Sequence, residues 1–132
     1  MIEWDVQKLL QADATLIGYI PATKICLFQA PSTITMPWLI IECFSGPRNK
    51  IAQNKVEGWN SIRISVDVGP NDRVKGKNAI ERALQLLDMK RNGLYTTNDF
   101  YITCSSVNSS AGLNNTTQYY FTGQIRYTET IN

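Results

Sequence analysis

The side chains able to do chemistry are few and poorly grouped. The 132-residue chain has no histidine, so the commonest general base and metal ligand is missing. The acids are spread along the sequence with no recurring spacing. Glu42, inside WLIIECF, draws most interest, because a carboxylate on an apolar strand requires a partner. Arg63 or Arg126 on a neighbouring strand is expected to supply it, and a structural cross-strand ion pair is favoured over a catalytic carboxylate. Asp67 is another acid on a strand pattern, and either it or Glu42 would serve a small-molecule site. VKGKN, residues 74–78, has the glycine and lysine of a phosphate loop but not its spacing, and reads as a solvated helix start. Cys26, Cys43 and Cys104 each lie in a strand-like run. With no C-x-x-C spacing they are read as reduced thiols rather than as metal ligands or a disulfide. Cys104 as a nucleophile would have only lysine or tyrosine as base. The expectation is no catalytic, cofactor-binding or metal site, and no enzymatic activity.

The elements that must position these residues come from periodicity. Ile2, Val6, Leu9 and Leu10 recur at helical spacing and predict an amphipathic helix over 2–12. Asp13 is placed to cap a second short turn with Leu16, Ile17 and Ile20 on its apolar side, and Pro21 ends it. KICLFQA, 24–30, predicts a short strand, and APSTITMP a loop. WLIIECF, 38–44, is apolar on both alternating sets, which predicts a central strand covered on both faces. In WNSIRISVDVG, Ile62, Ile64, Val66 and Val68 alternate with Arg63, Ser65 and Asp67. Gly69-Pro70-Asn71-Asp72 is a turn that supplies the cap of a helix over 72–90. Its stripe is Ala79, Ile80, Ala83, Leu84 and Leu87. Gly76 weakens its first turn, and Asn92-Gly93 stops it. DFYITCSSV, 99–107, and QYYFTGQIRYTE, 118–129, are the last two strands. The order α-β-β-β-α-β-β predicts one α+β domain over 1–132. Its mostly antiparallel sheet has four to five strands, with two main helices on one face and a long loop or hairpin arm between the second and third strands.

Composition fits that picture. Hydrophobic residues make up 43% of the chain and charged residues 18%, with net charge +2, enough apolar content for a core and too much for a disordered chain. This balance argues neither for nor against nucleic acid, whose dedicated binders usually show a stronger, clustered basic excess. No apolar run approaches the roughly 18 residues of a membrane span. The first residues, MIEWDVQKLL, lack the basic start of a secretory signal.

Two polar segments, 45–58 and 108–117, stand out as extensions from the body. SGPRNKIAQNKVEG separates two strong strand signals by far more than a hairpin needs, and long connections of this kind are often functional. Arg48, Lys50 and Lys55 give it a basic character. Ile51 and Val56 are lone apolar residues of the sort an arm docks on another subunit.

In order, these signals resemble the phage tail terminator (tail completion, or tail-to-head joining) proteins. The opening IEWDVQKLLQADATLIGYI matches their helix and second turn. LFQAPSTITMPWLIIECFSG matches their strand and Pro-flanked segment. SIRISVDVGPNDRVKGKNAIERALQLLD matches an alternating strand running into a helix with spaced alanines, and YYFTGQIRYTE matches the final strand. The resemblance spans nearly the whole chain and has no single diagnostic motif. VDV stands where relatives often carry an aromatic after the acid, and 45–58 follows no fixed consensus. It implies a virion protein of a long-tailed phage, without enzymatic activity or cofactor. Such a protein caps the tail tube as a ring, usually of six copies, and presents a surface to the head-side connector. DNA passes through its lumen without sequence-specific binding. The variable loop, with Arg48, Lys50, Ile51, Lys55 and Val56, would be an assembly arm. Alternatives are another neck component, such as a head-completion or stopper protein, or a small-molecule-binding domain using Glu42 or Asp67.

Overall fold

Ile62, Ile64, Val66 and Val68 have at most 1% of their surface exposed. Four β-branched side chains on one side of one strand need a cover, and the helices provide it. The computed structural model describes residues 2–88 and 99–130. Its helices are α1 (Ile2–Gln11), α2 (Ala14–Tyr19) and α3 (Arg73–Leu87). The strands are β1 (Ile25–Leu27), β2 (Trp38–Ala52), β3 (Lys55–Val68), β4 (Asp99–Cys104), β5 (Asn108–Ala111) and β6 (Thr117–Thr130). They form one six-stranded sheet in the order β1-β2-β3-β6-β4, with β5 also paired to β6. Every pairing is antiparallel except β1 with β2. The predicted α+β class, with a mostly antiparallel sheet and two main helices, is what the chain adopts.

The core lies between the helices and one sheet face. Val6 and Leu10 of α1, Leu16 of α2, and Ala79, Ile80, Ala83 and Leu87 of α3 meet Leu39, Ile41, Ile62, Ile64, Phe121 and Ile125. Each fully buried aliphatic side chain contributes about 1.5–3 kcal/mol of transfer free energy. Gly76 is part of this packing: a Cβ there would stand 2.6 Å from Val68 Cγ1 and 3.3 Å from Tyr119 Cδ2. The glycine that weakens the helix by propensity is what lets α3 approach β3 so closely. Asp13 caps α2 as expected, accepting from the Leu16 amide at 2.9 Å.

Several expectations need correcting. Ile17 is exposed and does not join Leu16 and Ile20 in the core. The 24–30 strand is only Ile25–Leu27, because Phe28 turns out of it at φ 67°. Asp72 stands at the cap position of α3 but its side chain makes no capping bond. That helix ends at Leu87, and the proposed Asn92-Gly93 stop lies outside the described residues. β2 is not covered on both faces throughout. Leu39 and Ile41 are buried under helices and Ile40 is buried on the other side, yet Phe44 is 53% exposed. The polar 108–117 segment does not leave the body, since Asn108–Ala111 is a strand returning along β6.

Candidate assembly surface

Of the loop or hairpin expected over 45–58, the chain forms the hairpin. β2 and β3 continue through the segment and are closed by Gln53-Asn54. Its outer end is braced from the far side, because Lys55, Val56 and Glu57 pair with Thr130, Glu129 and Thr128 of β6. Two register shifts interrupt it, between Ser45 and Arg48 and between Lys50 and Ala52. At the first, a Cβ on Gly46 would collide with the Trp59 carbonyl, so only glycine fits. Pro47 follows on an edge, where its missing N–H breaks no ladder bond. The second sits beside a turn whose residues take no positive φ. Such a turn splays the strands, and an extra residue accommodates the mismatch.

The structure separates the five arm residues. Arg48, Lys50, Ile51 and Lys55 are exposed, with Ile51 at 53%. Val56 is 7% exposed and so serves the chain's own packing, not a partner. Its neighbour Gly58 is also buried, with the Tyr127 ring lying where a side chain would go. In register, Arg48 and Lys50 stand opposite Gly58 and Val56, on the helix side, whereas Lys55 lies on the other. The basic charge therefore straddles the arm.

The sheet face away from the helices carries a polar chain that the sequence did not announce. Trp38 Nε1 donates to Asp67 Oδ2 at 2.7 Å, and Gln118 Nε2 donates to Asp67 Oδ1 at 3.0 Å. Arg63 Nη2 donates to Gln118 Oε1 at 2.9 Å, and its guanidinium lies 4.7 Å over the Tyr120 ring. One half-buried carboxylate thus ties β2, β3 and β6 together. Glu42 stands directly opposite Arg63 in register, yet Arg63 turns to Gln118 and Tyr120. Arg126 pairs with Glu57 at 3.0 Å and lies 5.1 Å over Trp59. The expected ion pair of Glu42 with Arg63 or Arg126 is therefore replaced: Arg63 is held by Gln118 and Tyr120, and Arg126 by Glu57 and Trp59. Trp38 and Trp59 line this face, half-buried, rather than the core.

A groove of about 530 Å³ crosses the same face, lined by Phe44, Ser61, Arg63, Thr103 and Gln124 among others. A second, of about 720 Å³, lies between α3 and the Ser106–Ser109 edge. Neither is lined by Glu42 or Asp67. All three cysteines are free thiols. Burial, with Asp88 nearby, pushes Cys104 up to about 12. Burial, with Glu3 nearby, pushes Cys43 up to about 11, and burial also raises Cys26. These environments suppress the thiolate, the reverse of what a nucleophile requires. Gly76 packs inward, so VKGKN forms no phosphate cradle. Among the described residues no group of three or more Cys, Asp or Glu is arranged to hold a metal. No described helix is long and apolar enough to cross a membrane.

No family model matches the sequence, and no curated protein matches it. Solved structures do match. A chain from the virion of a native gene transfer agent particle aligns with a TM-score of 0.74 and 14% identity, over 97% of this chain and 95% of that one. Another solved chain aligns with a TM-score of 0.51 and 9% identity, over 96% of each. At these identities the likeness is one of fold, and it runs from end to end.

Proposed function

We propose that the chain is a structural protein of a phage-type virion and, within that class, a tail terminator. It caps the tail tube as a homo-oligomeric ring, of six copies by the resemblance, and offers the other ring face to the head-side connector. The observation that carries the virion reading is the end-to-end likeness to a chain of a gene transfer agent virion. The finer assignment leans on the ordered sequence signals and on a braced arm presenting Arg48, Lys50, Ile51 and Lys55. The protein acts by contact and not by catalysis. DNA passes through the lumen past side chains that bind no particular sequence.

A closed ring needs two different patches that meet head to tail. An arm already built as a hairpin loses little conformational freedom on docking, unlike a disordered loop. The test is in vitro capping. Tail tubes assembled without this protein should stop lengthening and become competent to join heads when it is added. Tubes that ignore it, with heads that bind it directly, would point to a head-completion role.

A further inference from the structure

Resting on the ring reading, the geometry points to the interface itself: the sheet continues from copy to copy, the open edge of β2 adding antiparallel to the open edge of β4 in the next molecule. β1 covers β2 only at Leu39–Ile41, and among the described residues no strand lies along that side of β2 beyond Ile41. β4 ends the strand order at the opposite side of the sheet. Among the described residues no strand covers its outer edge.

These two edges lie at the same level. Cys43 is opposite Ile62, Ile62 opposite Gly123, and Gly123 opposite Cys104. Two residues further, the row runs Ser45, Asn60, Ile125, Ile102. Three successive antiparallel steps separate β2 from β4, so the two strands run in opposite senses. Rotation about an axis along the strands preserves those senses and sets β2 of one copy antiparallel to β4 of the next. Repeated, the operation closes three long strands and the shorter β4 of each copy into a barrel around a lumen, which leaves no edge of this kind exposed.

The backbone groups on both edges can be assigned. The Ile41 carbonyl accepts from the Phe28 amide at 2.8 Å, on the β1 side. By the alternation of an antiparallel ladder, Cys43 and Ser45 direct their N–H and C=O groups the same way. On β4, the Cys104 amide turns outward and is taken by Asp88 Oδ1 at 3.0 Å. The same alternation turns the Ile102 amide outward too. Asp88 thus closes the end of this edge and leaves Asp99–Thr103 for pairing. On β2, the Gly46–Pro47 irregularity and the charges of Arg48 and Lys50 blunt the edge beyond Ser45. Proline, bulges and basic residues of this kind prevent indiscriminate pairing.

The test uses the full chain at rising concentration, alone and with tail tubes, with mass followed by light scattering and amide hydrogen exchange read on each species. Amides of Cys43, Ser45, Phe100 and Ile102, which point outward, should exchange at least ten-fold more slowly in the oligomer than in the single copy. Ser45→Pro removes an outward N–H at an exposed position. It should keep the native circular dichroism and raise the concentration for half-assembly at least ten-fold. An oligomer whose β2 and β4 edges exchange as they do in the single copy overturns the edge interface and leaves the ring standing. A chain that stays single-copy under every condition overturns both.

Discussion

Arg82 grips Asp13 across 69 residues of sequence, Nε on Oδ2 and Nη2 on Oδ1, each at 2.9 Å. The same carboxylate caps α2, so one side chain fixes the start of a short helix and ties it to α3. The Arg82 bond holds the Asp13 carboxyl below its usual range, against the raising effect of burial and with help from the Leu16 amide. A depressed carboxylate pKa means stability that is present above the unfolded value of about 3.9 and lost as pH falls through the folded one. Asp13→Ala should cost about 1–2 kcal/mol at pH 7 through the lost cap. Asp13→Asn should flatten the acid limb of a melting-temperature profile below about pH 4. An unchanged acid limb would remove Asp13 from the account.

Gly76→Ala tests the close approach of α3 to β3. Propensity alone would favour alanine by about 1 kcal/mol. The added Cβ, however, meets Val68, a fully buried side chain with a stiff χ1. Overpacking of this kind costs about 1–3 kcal/mol. The expected result of thermal unfolding is net destabilisation, and stabilisation would mean that α3 lifts away freely.

Asp67→Ala leaves two donors, Trp38 Nε1 and Gln118 Nε2, without their acceptor on a half-buried face. An unsatisfied buried polar group costs about 1–3 kcal/mol. Asp67→Asn keeps one acceptor oxygen and should lose less. Denaturant melts followed by tryptophan fluorescence would register both the stability loss and the changed surroundings of Trp38. Equal losses for the two variants would mean the carboxylate's acceptor role is unimportant.

The thiols give a readout of folding. With Cys104 pushed up to about 12 and Cys43 to about 11, the thiolate fraction at pH 7.5 is negligible. Maleimide labelling of the folded chain should run at least roughly a hundred-fold slower than that of a free peptide thiol. Denaturant should restore the ordinary rate. Fast labelling of the folded protein would show that these sites are open and ionised.

What the sequence disclosed follows from which interactions are local. The α1 and α3 stripes and the Ile62–Val68 alternation are periodic, and the Asp13 cap acts within three residues, so all were legible. The Trp38–Asp67–Gln118–Arg63 chain depends on the registers of three strands, which no local pattern encodes. Without them Arg63 looked like the partner of Glu42. SGPRNKIAQNKVEG hid its strands because Gly46, Pro47 and its polar residues carry no alternation. Its pairing comes from backbone bonds and from β6 alongside. Val56 looked exposed for the same reason, since neither the β6 pairing nor the packing of Tyr127 over Gly58 can be read from neighbouring letters.

That distinction between fold and contact gives the arm its sharpest test. Ile51→Asp and the pair Lys50→Glu with Lys55→Glu alter exposed side chains only, so melting temperature should move by no more than about 2 °C, as surface changes away from buried features usually do. Val56→Asp buries a charge and should destabilise the fold itself. If the arm is an assembly element, the first two variants should fold normally and lose most capping of tail tubes. Val56→Asp should lose both folding and capping. Reversing two basic residues also removes attraction to acidic partner groups, so the wild-type activity should weaken with added salt. Normal capping by a folded Ile51→Asp protein, together with normal capping by the double lysine variant, would move the partner surface off the arm.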